Sequence, residues 1–370
     1  MMNNKSVQTY FDFGYSKIRA GVFTGNEKKD VFYNERKLSL NNPNSHEEIQ
    51  NIITSLEKET NRYIDNINLM IDSSKILSIG LSISKKLDGN ILKNSEIKFL
   101  IQEARQQVTK NYKNQNIIHI IINNYKINGI DYYNVESEIK CNLISIDILF
   151  ICIPNEIIDS FKKIFSNFNI LINQTICSCY AKSISYKNDL NLSGKVSFID
   201  IGFNKTSIIS FYDKKILSLD TLPIGSNHIT KDISKILKID LENSENLKIN
   251  FLKDQKILDK YNFSIETIEN IIFSRIEEIL ELSIRSIKSN VFKFDQFKII
   301  LIGEGSKILN NSYKNKISIF NDVDFMEENI EKICRSGFLL GMGLNKQEVV
   351  VVPKKQIKQG FFEKLFHFFR

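Results

Sequence analysis

Residues 195–225 read "KVSFIDIGFNKTSIISFYDKKILSLDTLPIG". Three strands follow one another here, the first turning at an Asp-x-Gly formed by Asp200 and Gly202. A helix is expected from about Asn227, with Ile229, Ile233 and Leu237 on one side. The same theme stands in residues 9–40, "TYFDFGYSKIRAGVFTGNEKKDVFYNERKLSL", with Gly14 and "TGN" as turn signals. The helix after it is announced by Pro43 and by Ser45 and Glu48 at capping-box spacing, and Ile49, Ile52, Ile53 and Leu56 share a face. A repeated order of strand, Asp-x-Gly turn, strand, strand and helix is the signature of an internal duplication. "FDFG" at 11–14 and "IDIG" at 199–202 are its landmarks.

Small residues at such a turn let backbone N–H groups approach an anion. An aspartate beside them is repelled by phosphate and is suited to hold Mg²⁺, mostly through water. Asp12 and Asp200 are therefore candidate metal residues on two sides of a metal nucleotide. One such turn carries little information, because turns favour both residue types; the matched pair carries more. A third element, "FKIILIGEGSKILN" at 297–310, is an apolar strand that runs into Gly303, Glu304 and Gly305 and then a helix start. A junction of that kind also brings backbone close to a nucleotide.

Between the copies, "KILSIGLSIS" is strand-like, and residues from about 80 to 156 mix a helix, "SEIKFLIQEARQQVT", with the strands "NIIHIIINNYKI" and "SIDILFICI". This segment reads as a small inserted domain. The helix "NEIIDSFKKIFSNF" and the run "ILINQTICS" return to the first pattern.

With 42% hydrophobic and 25% charged residues, the 370-residue chain has globular composition and length for two or more domains. Its net charge of +7 is spread without a basic stripe, so nucleic acid is not expected as a partner. The start shows no signal peptide, and the longest apolar stretch, "NLISIDILFICIPNEII", is interrupted by Asp147, Pro154 and Asn155, short of the ~20 residues that a spanning helix needs. Five cysteines, an odd number, offer no disulfide framework and read as reduced cytosolic thiols. His46, His119, His228 and His367 are scattered, so neither a zinc cluster nor a catalytic triad assembles.

The chain closes with "GFFEKLFHFFR", residues 360–370. As a helix this places Phe361, Phe362, Leu365, Phe366, Phe368 and Phe369 in one arc of roughly 160°, with Glu363, Lys364, His367 and Arg370 opposite. A basic approach at Lys354, Lys355 and Lys358 suits an anionic bilayer surface, and Lys364 and Arg370 add to it. Partial insertion of side chains worth roughly 1.5 to 3 kcal/mol each, set against the ordering of the helix, makes a weak and reversible anchor. A filament of many subunits raises its avidity.

Taken in order, "DFGYSKI", "HIIINNYKING", "DIGFNKT", "LPIGSNHITKDI", "LENSENLK", "LIGEGSKI" and the amphipathic tail resemble the actin-like ATPases, and within them the FtsA family of bacterial division proteins, over nearly the whole chain. The resemblance implies an α/β, actin-like (ribonuclease H-like) pair of duplicated domains with an inserted small α+β subdomain and a C-terminal amphipathic helix. Residues 1–79 and 157–193 would form the first core subdomain, 80–156 the insert, and 194–228 with 299–345 the second core. Residues 229–298 would form the small nucleotide-side subdomain, and 346–370 the linker and membrane helix.

Implied cofactors are ATP and Mg²⁺. Asp12, Gly14, Ser16, Lys17, Asp200, Gly202, Asn204, Lys205 and Thr206 fall in the phosphate motifs, Glu245 and Lys248 beside ribose and adenine, and Gly303, Gly305 and Ser306 in the adenosine motif. The partners implied are the chain itself, an anionic membrane, later division proteins and the C-terminal peptide of the tubulin-like FtsZ. Arg275, Arg285 and Lys288, on "IENIIFSRIEEILELSIRSIKSN", are the basic residues expected to pair with that peptide. Such a protein is peripheral, on the cytoplasmic face of the inner membrane at the division site.

Phe203, Asn204, Lys205 and Ser207 depart from the family's glycine- and threonine-rich second hairpin, and Tyr15 replaces a small hydroxyl residue in the first. Left-handed backbone at such residues costs roughly 1 kcal/mol or more, and slow or absent hydrolysis is expected. A pilus-assembly-type actin-like scaffold and a nucleotide-free scaffold of the same fold are the alternatives. A sugar-type phosphotransferase lacks an evident general base.

Overall fold

The computed structural model describes residues 7–24, 31–39, 45–135, 139–250, 264–290, 297–309 and 323–349. Both copies of the repeated theme fold alike. In the first, β1 (Val7–Phe13), β2 (Lys17–Thr24) and β3 (Phe32–Lys37) form an antiparallel meander, followed by α1 (His46–Thr60) and then β4 (Asn66–Ile71), parallel to β1. Both faces of these strands are covered: Thr9, Tyr10, Phe11 and Asp12 are buried in succession on β1, and Ile18 through Phe23 on β2. Ile49, Ile52, Ile53 and Leu56 are buried on α1 as their spacing predicts. The expected capping box does not form: Ser45 is the N-cap residue but already has right-handed helical angles, and its side chain makes no capping bond.

A third sheet interrupts this unit. β5 (Leu77–Ile91), α2 (Asn94–Asn111), β6 (Gln115–Ile127), β7 (Ile130–Tyr132) and β8 (Lys140–Pro154) fold on one another, with α2 covering their apolar face through Ile97, Leu100, Ile101, Ala104 and Val108. The chain returns through α3 (Asn155–Ser166) to β9 (Leu171–Cys177), which pairs in parallel with β4 and completes the order β3-β2-β1-β4-β9.

After α4 (Ser178–Asp189) the second copy repeats the pattern. β10 (Lys195–Ile201), β11 (Thr206–Tyr212) and β12 (Lys215–Leu222) form the meander, and α5 (Ser226–Leu237) buries Ile229, Ile233 and Leu237. α6 (Leu241–Asn250) and the long α7 (Ile265–Asn290) precede β13 (Lys298–Ile302), a 3₁₀ turn at Glu304–Ile308, and β14 (Val323–Phe325). The order β12-β11-β10-β13-β14 mirrors the first sheet strand for strand. α8 (Ile330–Gly341) then crosses back to pack on β1, β2 and α4, so that α4 and α8 tie the two halves together.

Residues 178–186 of α4 are all buried, which makes it the central helix of the molecule. The last described strand, β15 (Glu348–Val349), joins the edge of the third sheet beside β6. The tail at 360–370 and its basic approach lie outside the described residues.

Candidate functional site

Strand register fixes the site. In the first hairpin Asp12 lies opposite Arg19, and the turn closes with the Gly14 N–H donating to the Lys17 carbonyl at 3.0 Å. In the second, Asp200 lies opposite Ser207, and the Gly202 N–H donates to the Lys205 carbonyl at 2.9 Å. Lys17 and Lys205 thus hold equivalent places. Met70 pairs with Asp12 and Ile302 with Asp200, so Asp72 and Glu304, each just beyond a strand, are equivalent too. The second turn has no non-glycine residue at positive φ. Phe203, Asn204 and Lys205 take ordinary backbone angles there, and the expected left-handed strain is absent.

These equivalent residues pair across the cleft. Lys205 bonds to Asp72, and Lys17 lies 3.4 Å from Glu304, so each hairpin lysine meets the acid of the other half. Arg19 spans Asp12 at 3.1 Å, Glu304 at 2.9 Å and Glu35 at 2.7 Å. From α4, the Lys182 ammonium sits between Asp200 at 2.6 Å and Glu328 at 3.2 Å. Ser178 donates to the second oxygen of Asp12 at 2.7 Å, and Glu328 accepts from the Tyr186 hydroxyl at 2.9 Å and the Gly303 N–H at 2.8 Å.

The charges depend on one another. Burial opposes the Lys182 charge, but Asp200 and Glu328 outweigh it and hold its pKa well above the ordinary lysine value. Lys205 is likewise raised: burial opposes its charge, and Asp72 and Asp200 prevail. Arg19 follows the same pattern, with Asp12 and Glu304 overcoming burial. Burial pushes up the carboxyls of Asp72 and Glu328, against Lys205 in one case and Lys182 in the other. Burial also acts on Glu304, yet Lys307, Arg19 and Lys17 keep it below the usual range.

As arranged, these residues do not fit Mg²⁺ and a triphosphate. Both oxygens of Asp12 are taken, and Asp200 faces an ammonium. The cavity that they line measures about 80 Å³, below the several hundred Å³ of ordinary ligand sites. Gly303, at φ +93°, is required by the protein's own packing: a Cβ there would lie 2.4 Å from Asp200 Oδ1. A Cβ at Gly225 would likewise meet the hairpin, 2.6 Å from the Lys205 nitrogen and the Phe203 carbonyl oxygen.

Asp12, Gly14, Ser16, Asp200, Gly202, Lys205 and Gly303 come together on this cavity, and Lys17 stands outside it, paired with Glu304 and Glu35. Asn204 bonds to Asn227, and Thr206 donates to the Ile224 carbonyl. Glu245 and Lys248 pair at 2.6 Å over α5, where Lys248 also bonds to Thr230 and lies 5.6 Å from the centre of the Phe203 ring. Burial lowers the Lys248 pKa despite Glu245. Gly305 packs on Ile201, and Ser306 closes the 3₁₀ turn by donating to the Gly303 carbonyl.

No local sequence pattern marks Arg19, Asp72, Ser178, Lys182, Glu304 or Glu328 as members of this site. The available signal is Lys182 as the one charged residue in "CYAKSISY", residues 179–186.

Of the basic residues on α7, Arg275 makes a two-pronged pair with Asp232 at 2.6 and 3.0 Å and borders a cavity of about 510 Å³ between α5 and α7. Arg285 is exposed, 3.4 Å from Glu281, and Lys288 has an interaction of its own.

The sequence profile of the family described as Cell division protein FtsA matches residues 197–285, from β10 through most of α7. The chain is a relative of FtsA. It is 31% identical over 118 residues to FtsA of Bacillus subtilis, covering 28% of this chain and 26% of that one. With FtsA of Agrobacterium fabrum it shares 18% identity over 197 residues, 53% of this chain and 44% of that protein. With FtsA of Buchnera aphidicola it shares 24% over 242 residues, 56% of each. The matches thus span about half the length of these FtsA relatives, or less.

The fold is actin-like. Among solved structures, the PilM-PilN type IV pilus biogenesis complex matches with a TM-score of 0.60 at 13% identity, over 91% of this chain and 97% of that one. The ethanolamine utilization protein EutJ from Carboxydothermus hydrogenoformans matches with 0.50 at 12%, over 90% and 89%. No helix among the described residues is long and apolar enough to cross a membrane.

Proposed function

We propose that the chain is a self-assembling cell-division scaffold of the FtsA type, which tethers FtsZ filaments to the cytoplasmic membrane. The observation that carries this reading is the FtsA profile match at 197–285, which takes in the second hairpin, α5, α6 and most of α7. The cavity between α5 and α7 is the place for an extended FtsZ tail, with Arg275 as the cation that an acidic peptide would share with Asp232 and Glu278. Arg285 and Lys288 lie farther along the same helix and would meet the peptide's flanks. The Phe-rich segment 360–370 supplies the membrane contact, and residues 346–359 lead to it.

The actin-like resemblance implies ATP and Mg²⁺ in this cleft, but to enter it they would have to displace Arg19 from Asp12 and Lys182 from Asp200, and the tethering proposed does not require them. Hydrolysis has no part in the tethering proposed.

The test is co-sedimentation of purified FtsZ with anionic liposomes, mediated by the full chain or by a version ending at Ile357. FtsZ should pellet with the full chain alone. Pelleting of the full chain without FtsZ would remove the tether and favour a membrane scaffold of the pilus type. Failure of both to pellet would sink the reading of the tail.

A further inference from the structure

We infer that the two halves of this chain are clasped shut by their own side chains, which take the place that a metal nucleotide would occupy between Asp12 and Asp200. Every bond of the clasp joins one half to the other: Lys205 to Asp72, Lys17 and Arg19 to Glu304, and Lys182 to Asp200 and Glu328. The reciprocity of the hairpin lysines follows from the duplication, since each reaches the acid placed after the matching strand of the other copy. Lys182 supplies the cation. Its ammonium lies between Asp200 and Glu328, so the candidate metal residue Asp200 already faces a cation, and the Lys182 side chain is only 9% exposed.

The charge balance excludes a polyanion. Lys17, Arg19, Lys182, Lys205 and Lys307 are each already paired, and the six carboxylates Asp12, Glu35, Asp72, Asp200, Glu304 and Glu328 outnumber these five cations by one. A triphosphate entering the cleft would have to strip these cations from buried acids, which leaves the acids uncompensated. Closure is therefore intrinsic, and it does not cycle with nucleotide. Nothing in it depends on FtsZ or on the membrane, so the two proposals stand or fall separately.

The experiment uses the purified full chain, following its thermal midpoint and its binding of a fluorescent ATP analogue. The midpoint should be the same in EDTA and in millimolar Mg-ATP, with no saturable binding in the micromolar range. A ligand present at many times its dissociation constant would raise the midpoint by several degrees. The Lys182→Ala variant should melt several degrees below the parent in EDTA and regain part of the loss in millimolar Mg²⁺, because Asp200 and Glu328 then face each other without a cation. Micromolar binding of Mg-ATP by the parent chain, with a raised midpoint, overturns the inference. So does a Lys182→Ala chain with an unaltered midpoint. If that variant does not fold, the parent measurements decide alone.

Discussion

Replacing Lys205 with methionine keeps the stem and removes the charge, which leaves Asp72 facing Ser207 from a side chain only 14% exposed. Two outcomes bound the loss. If Asp72 stays ionised, a buried pair has been broken, at about 3–5 kcal/mol. If it takes up a proton at pH 7, roughly three units above the ordinary carboxyl value, the cost is about 4 kcal/mol. The cheaper route wins, so the loss at pH 7 should be about 3–4 kcal/mol. Where the carboxyl protonates, its pKa in the folded variant lies above the unfolded value. Its penalty is then absent below the unfolded pKa and grows as pH rises, so the loss shrinks by about 1.4 kcal/mol per unit of acidification. A Lys205→Met/Asp72→Leu double variant removes both charges and should recover most of the stability. The chain has no tryptophan, so urea unfolding followed by far-ultraviolet circular dichroism is the assay, at about pH 5.5 and pH 7.5 for the parent, both single variants and the double. A loss under about 1 kcal/mol, or a double variant as unstable as the two singles summed, would refute the reasoning.

Gly303→Ala should cost more than Gly194→Ala. Both have positive φ, worth about 1–2 kcal/mol, but only the first drives a methyl against Asp200 and Ile201, while nothing lies near the second; equal midpoint shifts would contradict this. Burial raises the thiols Cys152, Cys177, Cys179 and Cys334. Their stabilisation is full below the ordinary thiol value of 9.0 and is lost as pH climbs from there toward the raised values, by about 1.4 kcal/mol per unit for each thiol. A midpoint that stays flat from pH 8 to 10.5 would count against that. Arg275→Ala should weaken binding of an FtsZ tail peptide, read by fluorescence anisotropy, several-fold while changing stability by no more than about 1 kcal/mol, since its pair with Asp232 is partly exposed.

Backbone architecture was legible wherever periodicity was strong. Ile49, Ile52 and Leu56 on α1, and Ile229, Ile233 and Leu237 on α5, fall where their spacing puts them, and the two Asp-x-Gly turns mark matching hairpins. Legibility failed for side chains whose partners are remote. Arg19 and Glu304 are 285 positions apart, and Lys182 meets Glu328 across 146. Such pairings depend on how two sheets stack, which no local pattern encodes. The Asp-x-Gly motifs were informative about the turns. They were silent on Lys182, which helix α4 carries into the space between them.

His119 and Glu348 deserve a mechanical reading. The buried imidazole accepts from the Cys177 N–H and meets Glu348 at 2.5 Å, while Glu348 also takes the Tyr180 hydroxyl at 3.2 Å and Asn345 donates to that hydroxyl at 2.7 Å. Glu348 is in β15, whose pairing with β6 is the last described backbone contact before the chain leaves for its terminus. Tension on the residues beyond 349 therefore enters the body through the β15–β6 backbone pairing and the Glu348 carboxylate together. It divides there between the third sheet, β9 and the central helix α4, so a pull at the end of the chain is shared among elements from across the molecule instead of peeling one edge strand.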